Sequence, residues 1–393
     1  MPARYTMSQT TFQSSRRNFI RACGSGAAML GSGLISAPGL ARGANQLDLR
    51  VNAAPLWLNY NENSLGMSPR ATLAAQQATA ESGNRYPDDA VATLRETIGN
   101  KLDVDPEQVI FGNGSTEVIQ AIVTYAEGQS AKLIEPAPTF GDARRYCRAE
   151  GLEVIQVPVD QNFETDLVGL QKRAAATRGA LLINICNPNN PTGSIVNHRA
   201  LESWINAAPA DHIFLIDEAY FDYAQQNPDY RSVLSLIKEG RENLVLTRTF
   251  SKIHGMAGMR IGFGVAAPKT AREVRKFAAG FNLSTAGTAA ALAALADREF
   301  YQQSLASNQL AKTTLLTTLD ELGLEHIASN TNFVLHRINA RLQDYSARMA
   351  ENGIHVGRRM TTEDGWNRVS LGTPQEMQAF TETLKVFRQR GWV

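Results

Sequence analysis

The sequence predicts an α/β protein, a buried parallel sheet with helices around it, and three observations carry that expectation. Short runs dense in Val, Ile and Leu recur, among them Val109-Ile-Phe111, Leu181-Leu-Ile-Asn-Ile185, Ile213-Phe-Leu-Ile216 and Leu244-Val-Leu246. Continuous apolarity without alternation marks strands covered on both faces. Between such runs lie stretches with apolar residues at helical spacing, as at 69–82 and 91–102. The runs end in Gly, Asn-Pro, Asp or hydroxyl-bearing residues, at the strand ends where open α/β sheets bind their ligands. At 393 residues and 43% apolar content, the chain is long enough for two domains with cores of their own.

Formal net charge is +1, but it is unevenly placed. The first 43 residues carry Arg4, Arg16, Arg17, Arg21 and Arg42 and no Asp, Glu or Lys, so the remainder holds 34 of the 39 basic residues against all 38 acidic ones. A net charge of −4 there argues against nucleic acid as a partner. Ser15-Arg-Arg-Asn-Phe-Ile-Arg21 resembles the twin-arginine export signal, departing from it by Ile20 for Leu and Arg21 for Lys. Ala22 to Leu40 is too hydrophilic to span a bilayer stably, and Ala41-Arg-Gly43 offers small residues to a signal peptidase. Residues 1–43 are therefore expected to be a removable signal. The folded protein is expected in a bacterial periplasm, with the twin-arginine machinery as a partner and no stable membrane anchor. Cys23 leaves with the signal, and Cys147 and Cys186 are expected as free, buried thiols.

The chemistry gathers around Thr247-Arg-Thr-Phe-Ser-Lys252 and Arg260 beyond it. An amine that forms an imine must spend time unprotonated, which a partly desolvated, cation-lined pocket provides. Thr249 and Ser251 offer hydroxyls, and Arg260 offers a fork suited to phosphate. Lys252 is therefore read as a Schiff-base lysine in a phosphate-anchored aldehyde site. Gly112-Asn-Gly-Ser-Thr116 opens a helix with free amides able to bind phosphate, although Ser115 and Thr116 would serve equally as caps. It lacks the third glycine of a dinucleotide fingerprint and the lysine of a nucleoside-triphosphate loop. Phe140, after a strand and a Pro-rich turn, suits either a heteroaromatic ring or the core. Asn187-Pro-Asn-Asn-Pro191 fixes a turn that presents Asn190. Asp217, at the end of a buried strand, requires a cationic ring nitrogen, an arginine or a metal. The six histidines lack ligand spacing, so no metal site is expected. Asn61-Glu62-Asn63 is a polar cluster in an extended arm, which a solvated turn would explain.

Gly-Asn-Gly-Ser-Thr, Asn-Pro-Thr-Gly, Asp-Glu-Ala-Tyr and Ser-Lys, in this order, resemble the fold type I pyridoxal-phosphate aminotransferases. With Asn-Glu-Asn and Arg-Tyr-Pro-Asp before them, the chain is most similar to the histidinol-phosphate aminotransferase group over roughly residues 56 to 385. The resemblance implies a large domain with a mostly parallel seven-stranded sheet between helices and a smaller α+β C-terminal domain. It divides the chain into an arm and the start of the small domain at 44–86, the cofactor-binding domain at 87–285 and the small domain at 286–393. It implies pyridoxal 5′-phosphate on Lys252, with Asp217 at the pyridinium nitrogen, Asn190 and Tyr220 at the ring oxygen and Phe140 on the ring face. Ser115, Thr116, Thr249, Ser251 and Arg260 would hold the phosphate, and Tyr86 would reach the phosphate of a second subunit in a homodimer. Arg368 would grip the substrate α-carboxylate, with Asn63, Asn332 and Arg358 as further substrate contacts.

An amino acid and a 2-oxo acid are the expected substrates. Racemisation, decarboxylation or cofactor binding without turnover remain alternatives, because the Cα bond that breaks depends on angles in the bound complex. Ser64-Leu65 stands where the group often has Pro-Tyr, and His254 where relatives often have an aromatic or apolar residue. With export, these departures favour a free amino acid, aromatic or otherwise large, as the donor.

Overall fold

The computed structural model describes residues 54–393; the twin-arginine stretch, the expected cleavage site and Cys23 lie outside them. In chain order the strands are β1 (Leu56–Leu58), β2 (Val109–Asn113), β3 (Lys132–Ala137), β4 (Val154–Pro158), β5 (Leu181–Cys186), β6 (His212–Asp217), β7 (Leu244–Thr249), β8 (Ile261–Ala266), β9 (Phe333–Arg337), β10 (Ile354–Val356) and β11 (Trp366–Ser370). Seven of them form one sheet in the order β2-β8-β7-β6-β5-β3-β4. Every pairing is parallel except those of β8, which runs antiparallel to both β7 and β2.

Side chains alternate across this sheet, so each central strand feeds two cores. On β6, Phe214 and Ile216 face one core while Ile213 and Leu215 face the other. On β7, Leu244 and Leu246 oppose Val245 in the same way. This two-sided burial is why those strands read as unbroken apolar runs. From β3 the chain steps outward to β4, then returns past β3 to build β5, β6 and β7 on the other side. The crevice at that switch point is where doubly wound sheets bind ligands, and the chain past β3 and β5 carries Phe140 and Asn190 there.

A smaller core gathers Leu58, Leu315, Leu319, Val334, Tyr345, Val369, Phe380 and Leu384. It is built from β1, the pairs β1–β10 and β11–β9, and the helices Leu342–Glu351 and Pro374–Gln389. The change of core does not fall at residue 286. Thr285–Ala296 packs Ala290, Ala291 and Ala294 into the large core against Pro69–Ser82, so both helices belong with the seven-stranded sheet. The Ala- and Leu-rich stretch from Phe281 to Leu319 holds two helices, Thr285–Ala296 and Arg298–Glu321, because Asp297 turns out of the first and caps the second by accepting from Phe300 N at 3.2 Å. The small core begins within that second helix, at Ala311. β10 is only three residues long, as is its partner β1. Beyond β1 the chain is free to turn toward the strand ends as Asn59–Asn63.

Cys147 and Cys186 are both buried and unpaired. Among the described residues, no helix is long and apolar enough to cross a membrane, and no group of three or more His, Cys, Asp or Glu side chains is placed to hold a metal ion.

Candidate active site

A cavity of about 600 Å³ opens at the carboxyl ends of β5, β6 and β7. It gathers Ser115, Thr116, Phe140, Asn190, Asp217, Tyr220, Thr249, Ser251, Lys252 and Arg260, with Arg358 and Arg368 from the smaller core's side. Segments more than 250 residues apart thus meet at one point.

The half-buried Lys252 donates from Nζ to the carbonyls of Asn61 at 3.0 Å and Tyr60 at 3.3 Å. Burial, then the nearby Arg368 guanidinium, brings its pKa down to about 8, while Glu62 and Asp217 pull the other way. A fraction of this amine is therefore unprotonated near neutral pH, as attack on an aldehyde requires.

Asp217 ends β6 with its carboxylate buried. Thr247 Oγ1 donates to Oδ1 at 3.0 Å and Ala219 N at 3.2 Å, yet burial still raises its pKa to about 6. Oδ2 has only the Cys186 thiol, 4.0 Å away. That acceptor borders the cavity without a cation beside it, a fit for a protonated ring nitrogen. Its neighbour Glu218 points to the opposite side, where Arg248 Nη2 at 2.8 Å and Ser232 take up its charge, so the adjacent carboxylates do not act as a pair.

The anion end is built by the helix Ser115–Glu127, whose first amides are free for a ligand. Gly114 sits at φ +74°, and a Cβ there would stand 2.3 Å from Arg260 Nη2, so glycine is required. Gly262 on β8 admits the same helix start, since a Cβ there would meet Ser115 N at 2.1 Å. Arg260 is braced across the turn by donating to Ala257 O at 2.9 Å and Asn113 O at 3.2 Å, with Ser251 Oγ at 3.5 Å. Thr249 Oγ1 donates to Ser251 Oγ at 2.9 Å, while the Thr116 hydroxyl turns to Asp142 Oδ2 at 3.0 Å. Free amides, hydroxyls and a guanidinium make a cup suited to a phosphate monoester, and with Asp217 at the far end the donor set fits pyridoxal phosphate.

On the other side Arg368, 7% exposed, donates from Nη1 to Asn190 Oδ1 and from Nη2 to Asn59 O, both at 2.8 Å. Its Nε is buried without a partner. Arg358 reaches the same cavity from an exposed position, and Tyr60, Glu62 and Met360 complete that wall.

Two residues expected at the site, Asn63 and Asn332, stand elsewhere, and Tyr86 faces outward. Asn63 is not in the wall: its amide donates to Ile253 O at 2.8 Å and Ser304 Oγ at 3.0 Å, so it braces the loop that carries Lys252. Asn332 donates to the carbonyls of Asn61 and Glu62, at 3.0 and 3.1 Å, and holds the arm rather than facing the cavity. Tyr86 is 74% exposed and stacks on the exposed Phe281 at 4.8 Å, away from its own chain's cavity. Neither Ser64 nor Leu65 lines the wall. His254 lies behind the lysine loop near Phe250 and Tyr301, where burial takes its pKa down to about 4 and holds it neutral. Sequence reasoning missed Asn61, which donates from Nδ2 to the Tyr220 hydroxyl at 2.9 Å, and Ser370, which holds Asn61.

The Aminotransferase class I and II family matches residues 54–384. Histidinol-phosphate aminotransferase 1 of Cupriavidus pinatubonensis is 36% identical over 339 residues, 84% of this chain and 87% of that protein. A solved structure from Erwinia carotovora atroseptica, provisionally assigned as a histidinol-phosphate aminotransferase, superposes with a TM-score of 0.84 at 37% identity, covering 90% of this chain and 100% of the other. The histidinol-phosphate aminotransferase of Sinorhizobium meliloti, solved in complex with pyridoxal-5′-phosphate, gives 0.79 at 25% identity, covering 86% and 91%. The chain belongs to the class I and II aminotransferases and is a pyridoxal-phosphate-dependent aminotransferase with the fold type I architecture.

Proposed function

We propose that this enzyme transfers the amino group of a free amino acid with an aromatic or otherwise large side chain to a 2-oxo acid. The observation that carries the reading is the buried Arg368 fork facing the cavity that Lys252 enters, with Tyr60 and Met360 lining the same cavity. A guanidinium held by two hydrogen bonds suits a carboxylate, which every α-amino acid has.

Bound pyridoxal phosphate supplies an electrophilic aldehyde and an electron sink that no side chain offers. In this reading Lys252 holds that aldehyde at rest. Its free amine would take the proton from the substrate Cα and return it to the adjacent carbon, as base and then acid. Asp217 would keep the ring nitrogen protonated, Tyr220 and Asn190 would hold the ring oxygen, and Phe140 would cover the ring face. Ser115, Thr116, Thr249, Ser251 and Arg260 bind the phosphate, and Arg368 and Arg358 orient the substrate carboxylate. The exposed Tyr86 supports a homodimer in which it reaches the partner's phosphate; a holoenzyme that sediments as a monomer would count against that.

The test is a panel of amino acids, with histidinol phosphate included, scored for loss of the yellow form of the cofactor, for oxo-acid product and for product chirality. Large free amino acids are expected to convert. Turnover of histidinol phosphate alone overturns the donor class, and racemised or decarboxylated product overturns the reaction.

We further propose that the enzyme is exported folded to the periplasm, on the motif around Arg16 and Arg17. Replacing both by lysine is expected to leave activity in the cytosolic fraction; export that survives the change speaks against this route.

A further inference from the structure

The hydrogen bonds around Tyr220 determine where its single hydroxyl proton points. A phenol oxygen accepts two hydrogen bonds and donates one. Two amides approach it, Asn61 Nδ2 at 2.9 Å and Asn190 Nδ2 at 3.3 Å. Neither amide is free to turn over. Arg368 Nη1 lies 2.8 Å from Asn190 Oδ1, and a guanidinium only donates, so Asn190 must offer its nitrogen to Tyr220. Asn61 is fixed by the same logic, one step removed. Its backbone N–H, which also can only donate, reaches Ser370 Oγ at 2.7 Å. The Ser370 hydroxyl is then left to donate to Asn61 Oδ1 at 3.0 Å, which turns Nδ2 toward the phenol.

With both acceptor positions filled, the Tyr220 proton points away from the amides and into the cavity that Tyr220 shares with Lys252. The backbone of Asn61 serves the same site. Its carbonyl accepts from Lys252 Nζ at 3.0 Å and from Asn332 Nδ2 at 3.0 Å. The residue is 1% exposed and sits at φ +55°, a left-handed conformation that asparagine tolerates better than most residues.

We propose that Asn61 is a positioning residue of the reaction: its amide, oriented by Ser370, commits the Tyr220 hydroxyl to donate to the cofactor's ring oxygen, and its carbonyl holds the free amine of Lys252. This rests on the role given to Tyr220 above. It adds a wiring path, Ser370 to Asn61 to Tyr220, that joins β11 of the smaller core to the chain just past β6 of the larger one.

The experiment is a pH titration of the bound cofactor's visible absorbance in the holoenzyme. A hydroxyl donating to the ring oxygen favours the unprotonated form of the lysine link, so losing it raises the midpoint. Tyr220→Phe is expected to raise it by about one pH unit, a tenfold change in the proton equilibrium. Asn61→Asp keeps the shape, the φ and the carbonyl but presents only acceptors, so it draws the Tyr220 proton to itself. It is expected to raise the midpoint in the wild-type background and to add little in the Tyr220→Phe background. An equal shift in both backgrounds is a bare charge effect and overturns the proposal, as does no shift in either. If Tyr220→Phe alone moves nothing, the role of Tyr220 fails and the proposal with it. Ser370→Ala brings in no charge and frees the Asn61 amide to turn, so it carries the same comparison should Asn61→Asp not fold, with a midpoint unchanged from wild type again overturning the proposal.

Discussion

Lys252→Ala abolishes amino-group transfer, with kcat falling about 10⁴-fold, the upper range for losing a positioned proton carrier. The phosphate cup and Asp217 do not depend on this side chain, so the variant still binds the cofactor, but borohydride no longer fixes it to the chain. Lys252→Arg restores nothing. Its guanidinium remains protonated at any working pH, whereas burial beside Arg368 brings the lysine down to about 8. Lysine's activity therefore climbs as pH rises toward that value, as the free amine becomes populated. The measurement is single-turnover absorbance with saturating donor, alongside mass spectrometry after reduction. Transfer within tenfold of wild type in Lys252→Ala would remove this amine from the chemistry.

What could be read in advance, and what could not, separates along physical lines. Strands β5, β6 and β7 were legible because a strand buried on both faces carries consecutive apolar residues, as in Leu181-Leu-Ile183, Ile213-Phe-Leu-Ile216 and Leu244-Val-Leu246. Lys252 and Asp217 were legible because a charged group at the end of such a strand needs a partner. Asn61 was not: the Ser370 side chain, 309 residues away in sequence, holds it in place, and its contact with Lys252 is through a backbone carbonyl, which leaves no trace in residue type. Asn63 and Asn332 show the converse. They are polar residues beside the site, yet their amides hold backbone carbonyls. Burying such carbonyls unpaired would be costly, so structural asparagines collect beside a site as readily as functional ones. The residue at which the chain changes core was not legible, because the Ala-rich helix Thr285–Ala296 carries no label for the core it packs into.

Asp217→Asn has opposite effects on activity and on the stability of the cofactor-free protein. The isosteric amide can still accept from Thr247 Oγ1 but carries no charge to keep a ring nitrogen protonated, so kcat is expected to fall by 10²-fold or more, an order-of-magnitude figure for lost electrostatic stabilisation at a buried site. Stability moves the other way. Burial raises the Asp217 pKa to about 6, roughly two units above its unfolded value near 4, so between those values the folded state keeps a proton the unfolded chain has lost. Its favourable contribution is full below about pH 4 and is lost as pH rises through about 6. At pH 8 the ionised, unpaired carboxylate costs the cofactor-free protein on the order of 3 kcal/mol, which the amide avoids. The variant is therefore expected to melt above wild type at pH 8 without cofactor, and the gap should shrink to roughly a third at pH 4.5. Saturating cofactor supplies the missing cation to the wild type alone and should reverse the order at pH 8. A gap independent of pH, or one that cofactor leaves unchanged, would mean that this carboxylate is not the partner of a cationic ring.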